Sequence, residues 1–125
     1  MRLSWKIVTP VVLVLGVIAW LILRPVHQDV PVHISTIGLH KCDVGNGEKQ
    51  VYVDNDDSLT WFADAGHTYQ VIFDPATGTP VGSFTIPVPG PARTVQGTSK
   101  KHYPYTIHDS TNAQCKNADP MVILR

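Results

Sequence analysis

Apolar and polar residues alternate at every second position through the middle of the chain, in residues 58–74. Leu59 and Trp61 share one face of the first run, and Val71 and Phe73 share one face of the second. A period of two places such residues on a single side of a β-strand. The pattern therefore predicts two strands, each with one buried face, joined by a short loop.

Shorter runs with the same alternation follow one another along the rest of the chain, separated by proline or glycine. We predict these further strands at residues 32–37, 49–53, 83–86, 92–95, 102–108 and 121–124. Beyond the N-terminal segment, helical periodicity never persists for more than one turn. Short strands without helices are typical of a two-layer β fold. The predicted fold class is all-β, an antiparallel Greek-key β-sandwich preceded by one N-terminal transmembrane helix.

The N-terminal segment differs in composition from everything that follows it. Residues 7–23 contain no charged side chain over seventeen positions. As a helix they would span roughly 26 Å, close to the ~30 Å hydrocarbon core of a bilayer. The predicted organisation is a signal-anchor helix in residues 1–24, a linker in residues 25–30 and one folded domain in residues 31–125.

A cleaved secretory signal is the alternative for this segment, with cleavage after Ala19. Residues 20–23 continue the apolar run past that point, which favours an uncleaved anchor. Arg2 and Lys6 precede the run whereas only Arg24 directly follows it, so the positive-inside rule predicts a cytoplasmic N-terminus. The folded domain would then be tethered to the inner membrane and exposed in the periplasm or outside the cell.

Charge is balanced over the whole chain, with ten basic and ten acidic residues. From residue 30 onward seven basic residues stand against nine acidic ones, so the folded domain is weakly acidic. Basic residues are too few for an electrostatic footprint on nucleic acid. The sequence also lacks the motifs of nucleophilic, metallohydrolase and phosphate-binding sites. These observations predict a domain that is not an enzyme and does not bind nucleic acid.

The chain contains two cysteines, Cys42 and Cys115. In an exported domain an even number of cysteines predicts a disulfide. Closing a loop of this length stabilises a fold by about 4 kcal/mol in the chain-entropy model. The alternative is a free Cys115 that acts as a metal ligand or a reactive thiol.

One histidine of the central stretch is a candidate for chemistry. His67 follows Gly66, at the point where the loop leads back into a strand. An imidazole there either binds a metal ion or forms hydrogen bonds at the edge of the loop. The residues around it leave both interpretations open.

Four stretches together resemble the cupredoxin (blue copper protein) family in their order and spacing. They are VYVDNDDSLTW at residues 51–61, GHTYQVIFD at 66–74, YPYTI at 103–107 and DPMVILR at 119–125. The resemblance covers roughly residues 31–125 and implies a cupredoxin-like sandwich. It also implies a type 1 copper site, which needs two imidazoles, a thiolate and a weak axial ligand.

The ligands implied by the resemblance are His67 as one imidazole, Cys115 as the thiolate and Met121 as the axial group. The second imidazole would be His108 or His102, which is out of the usual order. The family places a cysteine at the end of the strand that resembles YPYTI, and this chain has Ile107 and His108 there. If Cys115 is bonded to Cys42, the thiolate is lost.

The incomplete ligand set favours a module without a cofactor that binds another envelope protein or serves a membrane complex. The alternative is a copper-binding electron-transfer protein. A third hypothesis, an immunoglobulin-like adhesion domain, uses the same architecture, because β-sandwiches host many functions.

Overall fold

Nine β-strands form two sheets in the part of the chain that is described. The structure is a computed structural model, which describes residues 27–115 and 119–125. The strands are β1 Asp29–Gly38, β2 Lys41–Val44, β3 Gln50–Val53, β4 Ser58–Ala63, β5 Tyr69–Phe73, β6 Thr85–Val88, β7 Arg93–Thr94, β8 His102–His108 and β9 Met121–Leu124. One sheet has the order β2-β1-β4-β7 and the other β3-β9-β8-β5-β6. The prediction of an all-β fold is confirmed.

The sheets are mixed, so the prediction of a purely antiparallel sandwich is wrong in two places. Strands β1 and β4 pair in parallel, as do β3 and β9, whereas the other five pairings are antiparallel. Alternation shows which side of a strand is buried, but it does not identify the neighbouring strand. Strands β4 and β5, consecutive in the chain, lie in different sheets.

Several strand boundaries differ from the prediction. β1 begins at Asp29, inside the predicted linker. β2, Lys41–Val44, was not predicted, although Cys42 and Val44 alternate with polar residues in it. β6 spans Thr85–Val88 rather than residues 83–86, and it contains Pro87. It tolerates this proline because it lies at the edge of its sheet.

The core lies between the two sheets and is built from the inward faces of the strands. At its centre the rings of Trp61, Phe73 and Tyr105 meet edge-on or tilted, with centroids 5.3–6.1 Å apart. Trp61 Nε1 donates a hydrogen bond to Tyr105 Oη at 3.3 Å, which satisfies both polar groups in an apolar setting. Leu59 and Val71 are fully buried on the faces that the alternation predicts.

The predicted membrane helix lies in residues 1–24, outside the described part of the chain. Within residues 27–115 and 119–125 the structure has no helix of sufficient length and apolarity to cross a bilayer.

Candidate functional site

One end of the sandwich holds most of the candidate chemistry. It comprises the turn after β1, the loop between β4 and β5 in residues 64–68, and residues 109–115 after β8. We call this end the hairpin pole. β1 reaches it after ten residues, about 30 Å from Asp29 at the usual rise per residue. The hairpin pole is thus the end opposite to the point where residue 27 enters the domain.

A disulfide between Cys42 and Cys115 links the two sheets at this pole, as predicted. The Cα atoms are 5.2 Å apart and 73 residues apart in sequence. Cys42 belongs to β2, and the Cys115 N–H donates to the Ile107 carbonyl at 2.8 Å, which holds the second cysteine against β8. The Cys115 sulfur is therefore part of a covalent link and is not a thiolate.

A hydrogen-bonded network lies beside the disulfide. The Tyr69 hydroxyl donates to Asp64 Oδ1 at 2.6 Å and lies 2.5 Å from Thr36 Oγ1. The Thr36 N–H donates to Asp64 Oδ2 at 3.1 Å, and Thr36 Oγ1 lies 3.2 Å from His67 Nδ1. His67 Nε2 is 3.8 Å from Asp64 Oδ2. His67 is thus held by polar neighbours from β1 and from its own loop.

The network shifts the acidity of two of its members. Burial, followed by the hydrogen bond to Asp64, raises the pKa of Tyr69 to about 12. Burial also acts to raise the pKa of Asp64, but hydrogen bonds from Tyr69 and Thr36 and the nearby His67 outweigh it and lower that pKa. At neutral pH this corresponds to a phenol that donates to a carboxylate.

A second pair joins the turn after β1 to the loop after β8. His40 Nδ1 lies 2.9 Å from Asp109 Oδ2, and the His40 backbone has a positive φ of 52°. The Thr111 hydroxyl and then His40 lower the pKa of Asp109, aided by backbone N–H groups of the same loop. The carboxylate is therefore occupied by contacts within the domain.

A cavity of about 190 Å³ opens at the hairpin pole. His40, His67, Cys42 and Cys115 all contribute to its wall. The structure thus brings together two of the four predicted copper ligands, His67 and Cys115, and adds His40, which the sequence analysis did not single out.

The other predicted ligands do not line this cavity. His108 is on the outer face of β8, because its neighbour Ile107 is buried in the core, and its Nδ1 lies 3.2 Å from the Asn112 carbonyl oxygen. Met121 pairs with Pro104, four residues from His108 along β8, or about 13 Å. His102 is at the far end of the same strand.

These positions do not fit a type 1 copper centre built from the predicted residues. Such a centre needs a thiolate, two imidazoles and an axial ligand around one point. The Cys115 sulfur is bonded to Cys42. Met121 lies beside Pro104 of β8, four residues away from His108 along that strand. Among the residues that the structure describes, histidine, cysteine, aspartate and glutamate form no group of three or more arranged to hold a metal ion.

The sequence analysis missed two exposed apolar side chains of the hairpin pole. Leu39, in the turn between β1 and β2, is 85% exposed, and Ile37 is 58% exposed. Lys41, at the start of β2, is also exposed. We call these three residues the hairpin tip. The adjacent Gly38 is a turn signal that the sequence analysis did not use.

No family model and no curated protein matches this chain. Among solved structures it is similar to a reduced Cu(I) form of an amicyanin variant at pH 4, with 16% identity, a TM-score of 0.46, and coverage of 78% of this chain and 82% of that one. A reduced tryptophan-to-tyrosine variant of amicyanin gives 15% identity, a TM-score of 0.47 and coverage of 82% and 87%. Both of these structures are amicyanin variants.

Proposed function

We propose that the chain is a membrane-anchored, exported binding module of the bacterial cell envelope that performs no catalysis and carries no type 1 copper. The observation that carries this proposal is the bond between Cys42 and Cys115. It commits the candidate thiolate to a structural link between the sheets. The domain then acts as an accessory that binds another envelope protein.

The disulfide also supports the proposed location. Disulfides persist in oxidising compartments such as the bacterial periplasm and are rare in the cytosol. Residues 7–23 are apolar and uncharged, in keeping with an anchor in the inner membrane that leaves the domain on the exported side.

Intact mass of the purified full-length chain tests this function. We expect no alkylation before reduction, two alkylated sites after reduction, and no copper retained after Cu(II) is added and excess metal is removed. The reduced sample is the control for thiol reactivity. Alkylation without reduction, or one tightly retained copper ion, would contradict the proposal and favour the electron-transfer alternative.

A further inference from the structure

We propose that the hairpin tip, Ile37, Leu39 and Lys41, is a docking surface for a partner protein with an apolar patch bordered by carboxylates. This inference rests on the proposed function and specifies the partner's chemistry. It is carried by the exposed apolar side chains, their rigid support and the charge beside them.

The tip exposes two large aliphatic side chains, which are separated in the chain by Gly38. Leu39 is 85% and Ile37 is 58% exposed. Burying aliphatic surface against a partner lowers the free energy of the complex, because that surface is removed from water. An apolar surface with a polar rim is typical of protein interaction sites. The tip therefore fits a partner that buries both side chains.

The residues that flank the tip are anchored to the rest of the domain. The disulfide starts at Cys42, three residues after Leu39, and His40 between them contacts Asp109. Thr36, one residue before Ile37, joins the Asp64 network through its backbone N–H. A surface that is already ordered loses little conformational entropy on binding. This anchoring thus favours binding of a partner to the tip in its present conformation.

The charge that the tip offers is positive. Lys41 is exposed and forms no ion pair with the residues that the structure describes. The nearby carboxylates of Asp64 and Asp109 are instead occupied by Tyr69, Thr36 and His40. Charge complementarity across an interface then requires acidic groups on the partner.

The position of the tip is consistent with this use. It lies about 30 Å along β1 from Asp29, at the end of the domain opposite to residue 27. If residues 7–23 anchor the chain, the tip projects away from the bilayer. It would then meet the exported part of a partner.

The experiment is photo-crosslinking in the full-length chain, expressed in bacterial cells, with a photoreactive amino acid at position 39. The same probe at Tyr52 and at Phe84, which are exposed away from the hairpin pole, provides comparison sites. Each crosslinked product is digested, and the partner peptide is identified by mass spectrometry. Lys41→Glu and Lys41→Arg test the charge, and Lys100→Glu is the matched control at the opposite end.

We expect one discrete product from position 39, in which the partner peptide carries apolar residues flanked by Asp or Glu. Lys41→Glu should lower its yield by about tenfold, as for a central interface residue, whereas Lys41→Arg and Lys100→Glu should retain it. A basic partner peptide, or equal yields with Lys41→Glu and Lys100→Glu, would overturn the inference.

The comparison sites separate failure of this inference from failure of the proposed function. A product from position 52 or 84 with none from 39 would refute the tip as the docking surface and leave the binding function standing. No product from any of the three positions would overturn both.

Discussion

At the scale of single residues, polar side chains at the hairpin pole connect the two sheets. Thr36 lies in β1 of one sheet and Tyr69 in β5 of the other. Asp64, in the loop between β4 and β5, contacts both. Each polar group in this network has a hydrogen-bond partner within it, which avoids the free-energy cost of an unpaired buried donor or acceptor. Single substitutions there should therefore have measurable effects on stability.

Tyr69→Phe removes the hydroxyl that donates to Asp64. We expect the free energy of unfolding at pH 7 to fall by about 1.5–3 kcal/mol, the usual range for a hydrogen bond to a charged group. Urea unfolding followed by tryptophan fluorescence measures this change. Tyr52→Phe, an exposed position, is the control and should change stability by less than about 0.5 kcal/mol.

The same variant should alter the alkaline stability profile. The folded pKa of Tyr69 is about 12, raised from 10, so its contribution is complete below pH 10 and is lost as pH rises through 12. The stability difference between the parent protein and Tyr69→Phe should therefore shrink between pH 10 and 12. A difference that stays constant over this window would contradict the assigned network.

Asp64→Asn tests the acid side of the network. The folded pKa of Asp64 lies below its ordinary value of 3.8. Its contribution is therefore present above that value and is lost as pH falls through the lower folded pKa. We expect the parent protein to exceed the variant in stability at pH 7 by about 1–2 kcal/mol, and this difference to shrink as the pH falls below 3.8. Asp119→Asn, at an exposed position, is the control and should change stability at pH 7 by less than about 0.5 kcal/mol.

At the scale of elements, the disulfide joins β2 in one sheet to the loop that follows β8 in the other. Hydrogen bonds within a sheet hold its own strands, but the two sheets meet chiefly through side chains. A covalent link between them therefore holds the sheets together at the hairpin pole of the folded domain. The same link restricts the conformations of the unfolded chain.

Replacing both Cys42 and Cys115 by alanine should lower the free energy of unfolding by about 2–5 kcal/mol. Without the disulfide, which joins residues 73 positions apart, the unfolded chain regains conformational entropy. Denaturant unfolding of the variant and of the reduced parent protein should agree within about 1 kcal/mol. Unchanged stability in the variant would show that the link does not restrain the chain.

Gly97 shows how closely one turn approaches a neighbouring strand. A Cβ atom at this position would lie 2.5 Å from the Tyr103 hydroxyl and 3.3 Å from Leu124 Cδ2. Gly97→Ala should therefore destabilise the fold by about 1–3 kcal/mol, as for overpacking. Gly38→Ala, whose added Cβ would meet only the flexible Lys41 side chain at 3.4 Å, is the control and should be nearly neutral. Thermal unfolding compares the two.

At the scale of the whole molecule, the proposed anchor determines where the hairpin pole is presented. The domain follows residues 7–23 after a short connection, because β1 already begins at Asp29. If the proposed anchor spans the bilayer, one end of the domain would lie near the membrane surface and the other would be directed away from it.

Leu13→Arg combined with Leu15→Arg should release the full-length chain from the membrane. Each arginine near the centre of a transmembrane helix costs about 2.5–3.5 kcal/mol on insertion scales. Carbonate extraction and sedimentation of bacterial membranes measure the effect. We expect the parent chain in the pellet and the variant depleted from it, with Leu39→Arg as the control that stays in the pellet. Release of the parent chain would contradict the anchor.

The sequence by itself determined which residues face inward. Leu59, Trp61, Val71 and Phe73 are all buried, because alternation along a strand is a local property of the backbone. The predicted disulfide is also present, since two cysteines allow a single intramolecular pairing.

Strand partners, parallel pairing and the composition of the hairpin pole were decided only by the tertiary structure. The contacts of Thr36 with Asp64 and Tyr69 join residues 28 and 33 positions apart, which no local period relates. The hairpin tip is exposed because β2 turns back at the end of β1 and pairs with it. Long-range contacts depend on how the sheets pack, and a pattern read along one strand contains no information about that packing.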